Sequence, residues 1–187
     1  MSVEEALHNR RSIRKFANRS LELAQTSQLL WAGDGITNPQ GKRTAPSGKA
    51  TYPMDLYLVA GERGVAGLAQ GLYHYKVADQ ALEQVATGDF RAAVAKACNS
   101  QVWMTEAPVI LVISGDYKRS EVKNGDKALL FTHIEAGLIA ENIFLQVESL
   151  GLGAGIAGGM NDKALSQALK LPPANIPFLV MPVGHKQ

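Results

Sequence analysis

The stretch from Lys127 to Gly159, KALLFTHIEAGLIAENIFLQVESLGLGAGIAGG, limits the possible folds more than any other part of the chain. Its first 24 residues contain no proline and mostly good helix formers, which predicts one helix from about Lys127 to Leu150. Apolar residues fall at Leu130, Phe131, Ile134, Leu138, Ile143, Leu145 and Leu150. They fall also at Ala128, Ala136, Ile139, Phe144 and Val147. Together they cover most of the circumference, where a surface helix shows one apolar stripe and one charged face. Such a helix is expected to be buried nearly all round. Thr132, His133, Glu135, Glu141, Asn142, Gln146 and Glu148 make it too polar for a membrane span. A chain of 187 residues has few elements with which to wrap a central helix. A second copy of the chain, packed in a symmetric dimer, is therefore expected to cover one side. The helix runs into the glycine-rich stretch Gly151 to Gly159, a backbone against which a flat ligand can lie. The plainer alternative is a core helix followed by a flexible loop.

The length suits one domain over residues 1–187. With 46% hydrophobic and 19% charged residues the chain can fill a core and is not disordered. A net charge of +2 without a long basic run makes nucleic acid an unexpected partner. Cys98 stands alone, so no internal disulfide is possible, which fits a reducing cytoplasm. The N-terminal MSVEEALHNRRSIRKF has no apolar signal-peptide core, and neither a membrane nor an export route is expected. His8, His74, His133, His185 and Cys98 show no metal-ligand spacing, so no metal is expected.

In chain order, Val3 to Asn9 predicts a short helix capped by Ser2, and Ser20 is expected to cap a second that ends near Gly33. Asp34 to Thr51 is a long polar loop, and Pro46 and Pro53 give it a fixed shape. Met54 to Ala60 alternates as a strand, and Gly71 to Val77 reads as an edge strand. Asp89 to Cys98 is a helix. Val109 to Ile113 is a continuous β-branched run, hence a buried central strand. Asp116 to Asp126 reads as a polar loop. Asn161 or Asp162 caps a helix ending at Leu169, and Phe178 to Met181 is the last buried strand. Strands and helices mix without strict βαβ alternation. That predicts an α+β sandwich, with helices flanking a mostly antiparallel sheet.

Two motifs point to a ligand. Arg10-Arg11-Ser12-Ile13-Arg14-Lys15-Phe16 places five cationic or hydroxylic residues in seven. Arginine forks bind phosphate oxygens bidentately and the Ser12 hydroxyl adds a compact donor. Gly153-Ala154-Gly155-Ile156-Ala157-Gly158 matches the dinucleotide pattern G-x-G-x-x-G, but it follows a long helix instead of a strand. No acidic residue stands about 20 positions later, as the dinucleotide fold requires. These glycines are read instead as letting backbone approach an aromatic plane or another chain.

Separated pieces of the chain together resemble one family. The heptapeptide Arg10 to Phe16 is similar to the opening signature of the nitroreductase-like flavoproteins. Pro46-Ser47-Gly48 through Tyr52-Pro53 resembles that family's second loop, in the form of the subgroup related to peptide-oxazoline dehydrogenases. Gln101 followed by Ala107-Pro108 and a buried strand looks like the third element. The central helix ending Leu150-Gly151-Leu152-Gly153 and the closing Pro182-Val183-Gly184 complete the order. The resemblance implies an FMN-dependent oxidoreductase, a homodimer with its long central helix at the interface and two flavins between the subunits. It implies NAD(P)H as electron donor and a ping-pong cycle. Carried over by position, Arg10, Arg11, Ser12 and Arg14 would hold the FMN phosphate, ribityl chain and pyrimidine edge. Pro46, Ser47 and Gly48 would come from the other subunit. Ala157, Gly158 and Gly159, with Ile156 beside them, would face the isoalloxazine through main chain. Gln101 belongs to the same cofactor-binding set, and Lys186 would reach the phosphate. The sequence departs from the family at Gly158, where many members have Glu, and at Ala50, where many have Asn.

Flavin carries the redox chemistry itself, so no catalytic acid or base is assigned. Tyr52, His133 and Glu135 are read as packing residues before proton donors. The acceptor is expected to be a nitroaromatic, a quinone or a similar electrophile. Oxidation of a peptide heterocycle, breakdown of the flavin, and a non-catalytic flavin-binding dimer stand as alternatives.

Overall fold

A computed structural model describes all of residues 1–187. In chain order it contains α1 (Val3–Asn9), α2 (Leu23–Asp34), β1 (Met54–Ala60), β2 (Gly71–Lys76), β3 (Ala81–Thr87) and α3 (Arg91–Ala97). There follow β4 (Val109–Gly115), α4 (Tyr117–Asn124), α5 (Ala128–Ser149), β5 (Leu152–Ala154), α6 (Asp162–Ala168) and β6 (Ile176–His185). The six strands form one sheet in the order β3-β2-β1-β4-β6-β5, antiparallel at every pair. The expected α+β architecture is the observed one.

Strand alternation divides the core in two. Val109, Leu111 and Ile113 of β4 join Leu56 and Leu58 of β1 beneath α2 and α5. Ile110 and Val112 join Tyr57, Val59 and Val180 on the other face, beneath α3 and α6. Because both faces are covered, β4 is apolar at nearly every position, which is why the sequence shows a run and not an alternation.

Caps fix several helix starts. Ser2 and Glu5 form a reciprocal capping box on α1. Asn161 Oδ1 accepts the Ala164 N–H at the start of α6. Ser20 does not cap α2. That role falls to Glu22, which shares a reciprocal box with Gln25, while the Ser20 carbonyl faces His185 Nε2. Two further expectations are corrected. The strand at Gly71 lies inside the sheet, because β3 pairs outside it. β3 carries Glu83 and Gln84 and is largely exposed, as suits an edge that must resist pairing with another chain. The segment read as a polar loop after Asp116 contains α4, with Asp116 accepting the Lys118 N–H as its cap. Only Ser120 of that helix is buried, so no apolar period marks it.

α5 is the central helix, and one side of it packs on the sheet through Ala136, Ile139, Ala140, Ile143, Phe144 and Val147. By length and composition alone the helical run Tyr117–Ser149 would suffice to cross a membrane. Packing on the sheet accounts for the apolar character of one side of it. All-round burial does not hold within one chain. Leu130 is 57% exposed, Ile134 51% and Leu138 38%, and a Cβ placed on Gly137 would meet nothing within 4 Å. The apolar residues on that side are thus left uncovered by the chain's own elements.

Candidate functional site

After α1 the chain runs extended along the β5 edge of the sheet. Ser12 bridges Ala154 in parallel, and the Ile13 N–H donates to the Ala154 carbonyl at 2.8 Å. Phe16 then bridges Lys186, and the Ala17 N–H donates to His185 at 2.9 Å. The cationic heptapeptide is therefore held by main chain, which leaves its side chains available. Arg10 is the most engaged, 3.7 Å from Glu141 with its guanidinium 5.2 Å from the Phe144 ring centre. Arg11 donates only to the carbonyls of His8 and Arg10. Arg14 lies over the Trp103 ring at 5.7 Å. No carboxylate stands within ion-pair distance of Arg11, Arg14 or Lys15.

The glycine stretch lies beside this segment. A Cβ on Gly155 would fall 2.5 Å from Trp103 Cη2 and 2.8 Å from the Ile13 carbonyl oxygen, so only glycine fits. The Gly155 N–H donates to Pro182, and Ala157 exchanges both of its main-chain bonds with Val180. Ile156 packs toward α5 and Ala157 toward α3 and α6. Gly158 and Gly159 are exposed, and neither N–H has an acceptor in the chain. The turn before Gln101 faces them: Asn99 Nδ2 donates to the Gly159 carbonyl at 3.1 Å. Gln101 accepts the Trp103 indole N–H at 3.1 Å.

Lys186 is within reach of the same edge, but its ammonium bonds both carboxylate oxygens of Glu148 at 2.8 Å. The second loop lies elsewhere on α5. The Gly48 N–H donates to Glu135 at 2.9 Å, Asn124 donates to the Gly48 carbonyl, and Ser47 Oγ accepts the Tyr52 N–H. Pro46 leads into this turn. Burial raises the Glu135 carboxyl above its ordinary value, against the Gly48 N–H and the Ser47 hydroxyl. Glu135 and Glu148 stand 13 positions apart on α5, roughly 20 Å at 1.5 Å per residue. One chain thus brings together Arg10, Arg11, Ser12, Arg14, Gln101, Ile156 to Gly159 and Lys186. It keeps Pro46, Ser47 and Gly48 apart from the Arg10 and Lys186 end.

Trp103, Asn99 and Glu148 escaped the sequence reading. Trp103 stacks on Phe16 with ring centres 6.5 Å apart and touches Arg14, Gln101 and Gly155. The only signal for it was an aromatic residue two positions after Gln101. His133, considered as a proton donor, packs edge-on against Phe178 and bonds the Leu129 carbonyl.

Arg11 and Arg14, without carboxylate partners, lie on a segment held along one edge of the antiparallel sheet, and the adjoining glycine stretch carries main-chain N–H groups without acceptors, so this edge offers the donors that an anionic group would need. The chain belongs to the nitroreductase family of oxidoreductases, whose residue pattern matches residues 7–185. It is 33% identical over 186 residues to a nitroreductase-family protein of Methanocaldococcus jannaschii, covering all of this chain and 92% of that one. It is 29% identical over 110 residues to the NADPH-flavin oxidoreductase of Vibrio harveyi. That match spans 54% of this chain and only 46% of the Vibrio protein. A nitroreductase-family crystal structure from Ralstonia eutropha superposes with a TM-score of 0.84 at 29% identity, covering all of this chain and 84% of the other.

Proposed function

We propose that the protein is a homodimeric, cytoplasmic FMN-dependent oxidoreductase. It takes electrons from NAD(P)H and passes them to a nitroaromatic, a quinone or a similar small electrophile by a ping-pong cycle. Two features support this reading: Arg11 and Arg14 are free of carboxylates, and Gly158 and Gly159 carry unpartnered N–H groups, on segments joined by the Ser12–Ala154 bridge and by Trp103, which meets both Arg14 and Gly155. The first pair suits a phosphate or an electron-rich ring edge, and the second suits the polar rim of a flavin. When bound, FMN supplies the two-electron exchange between nicotinamide and acceptor.

The chain's own residues would bind and orient. Arg11 and Ser12 would hold the phosphate end, and Arg14, kept in place by Trp103, would place positive charge near the pyrimidine edge. Lys186 would reach the phosphate only by loosening its hold on Glu148. Pro46, Ser47 and Gly48, already fixed to α5 through Glu135, would close the site of the opposite subunit. The exposed apolar side of α5 is the surface on which that subunit would sit. No protein acid or base is needed, because the hydride passes to and from the cofactor itself. A single buried Cys98 fits a reducing compartment.

The purified protein is expected to be yellow and to release FMN, not FAD, on heating. Added NAD(P)H should bleach it, and a quinone or nitroaromatic should restore the colour. Colourless protein that takes up no FMN would end this reading. FMN binding without NAD(P)H oxidation would leave a flavin-binding dimer in its place.

Arg14→Ala should weaken FMN binding by about 1.5–3 kcal/mol, the scale of a hydrogen bond to a charged group. Arg14→Lys should recover only part, since a point charge does not replace a planar fork. Equilibrium titration of flavin fluorescence checks both. Wild-type affinity in both variants would reduce Arg14 to a surface charge lying on Trp103.

A further inference from the structure

The turn between α3 and the 3-10 helix at Val102–Glu106 carries two successive left-handed residues, a feature it shares with Lys49 and Ala50 in the second loop. Asn99 and Ser100 both have φ of +57, and neither is glycine. A helix end is commonly closed by one left-handed residue, for which asparagine is a good choice. A second in succession, at serine, is not required for that purpose. The pair has a visible consequence. It turns Asn99 outward so that its amide reaches the Gly159 carbonyl, and it sets Gln101 to accept the Trp103 indole N–H. Trp103 in turn packs where a Cβ of Gly155 would be. One strained turn therefore grips both ends of the Gly155 to Gly159 stretch. The Asn161 N–H, bonded to the Ala97 carbonyl at 2.9 Å, closes the same connection on its far side. Between these grips lie Gly158 and Gly159, whose exposure and lack of side chains leave the backbone there otherwise free to move.

We infer that Asn99 is a positioning residue. Its side-chain amide fixes the Gly159–Met160 peptide plane, and through the backbone of Gly159 it restrains the adjoining Gly158–Gly159 peptide, whose N–H is thereby aimed at the ring system of the bound flavin. This rests on the flavin-binding reading above. It adds that ring recognition depends on a residue outside the cationic segment and the glycine stretch. The persistence of left-handed backbone at Asn99 and Ser100 is the kind of strain that recurs where geometry is held for function.

Three variants separate this role from a merely structural one. Asn99→Gly accepts φ of +57 more easily than asparagine and keeps the turn while removing the clamp. Asn99→Asp keeps shape but turns an acceptor toward an acceptor. Arg11→Ala serves as the phosphate-end control. Affinities for FMN and for riboflavin, which lacks the phosphate, are read by fluorescence quenching, with thermal unfolding of each variant measured alongside. Asn99→Gly is expected to melt with the wild type yet lose roughly fivefold in affinity, the scale of one lost hydrogen bond. The loss should be equal for FMN and riboflavin, so that their ratio stays constant. Asn99→Asp should lose more. Arg11→Ala should change the ratio. Wild-type affinity in Asn99→Gly, or a loss confined to FMN, would overturn the positioning role.

A readout without flavin keeps the two readings apart. Amide exchange at Ala157 and Asn161, both hydrogen-bonded at the borders of the gripped stretch, should quicken in Asn99→Gly. Unchanged exchange would overturn the clamp even in a yellow protein. Faster exchange in a protein that binds no flavin would keep the clamp and remove its ligand.

Discussion

Ile134→Glu is expected to give a folded monomer with poor FMN affinity, whereas Ile143→Glu should not fold. The two isoleucines are on the same helix but face different environments. Ile143 is fully buried, packed near Gly33 in the core between α5 and the sheet. A carboxylate there has no partner, and the cost of several kcal/mol is comparable with the whole stability of a domain of this size. Ile134 is 51% exposed, with Leu130 and Leu138 on the same side of α5. In an isolated chain a charge at that position stays in water. Once a second subunit covers the face, the same charge costs several kcal/mol. The flavin site is proposed to take Pro46, Ser47 and Gly48 from the second subunit, so cofactor binding and dimerisation are linked by mass action. Dilution of apoprotein should favour monomer, and FMN should reverse it. Sedimentation and flavin fluorescence on the same samples check both. A monomeric Ile134→Glu that binds FMN at wild-type affinity would refute the shared site. A variant that remains dimeric would remove this side of α5 from the interface. A stably folded Ile143→Glu would contradict its place in the core.

Why was the central helix legible and its surroundings less so? Length, composition and absence of proline mark Ala128–Ser149 without help from tertiary contacts. Its apolar circumference has two causes: one side packs on the sheet, and Leu130, Ile134 and Leu138 on the other are uncovered by the chain itself. Sequence periodicity adds the two and cannot separate them. β4 was legible because it is buried on both faces. β3 was not, because an edge strand has little to bury and Glu83 and Gln84 look like loop. α4 failed for a related reason, since its stability rests on a cap at Asp116 and bonds from its end to the 48–49 turn. In the site, the cationic residues show themselves by charge. Their partners do not. Glu148 beneath Lys186 and Trp103 beneath Arg14 come from α5 and from the segment before β4, and only folding brings them to the Arg10 segment. Asn99 is less visible still, because what singles it out is a backbone angle.

Asp34 is expected to make wild-type stability fall as pH rises from about 4 to about 7, the span between its ordinary and its folded value. Its side chain lies at the end of α2, nearly inaccessible to water, and burial pushes the carboxyl up to about 7 from 3.8. The Arg43 guanidinium bonded to it pulls the other way, while the Asp55 and Glu135 charges add slightly to the upward push. A carboxyl that keeps its proton longer when folded contributes stability fully below its unfolded value. That contribution is lost as pH climbs through the folded value. The slope is about 1.4 kcal/mol per pH unit between the two values, so the whole change is about 4 kcal/mol. Asp34→Asn removes the titration and should flatten this window. Glu135, also raised by burial, titrates in the same sense, so the difference between the two proteins is the quantity to read. Burial alone would raise Asp55 and Asp89 as well, but bonds from His74 and Arg91 hold them below their ordinary values. Their contributions therefore change only at lower pH. Urea midpoints at three pH values, about 4.5, 6 and 8, give the difference across the window. It should widen with pH and level off above about 7, where the folded carboxyl has ionised. Arg43 also lies 4.6 Å above the Tyr52 ring in the second loop, so ionising Asp34 strengthens the hold on a segment proposed to reach the flavin. Parallel profiles for the two proteins would show that Asp34 is ionised throughout, and that the guanidinium, not burial, governs this carboxyl.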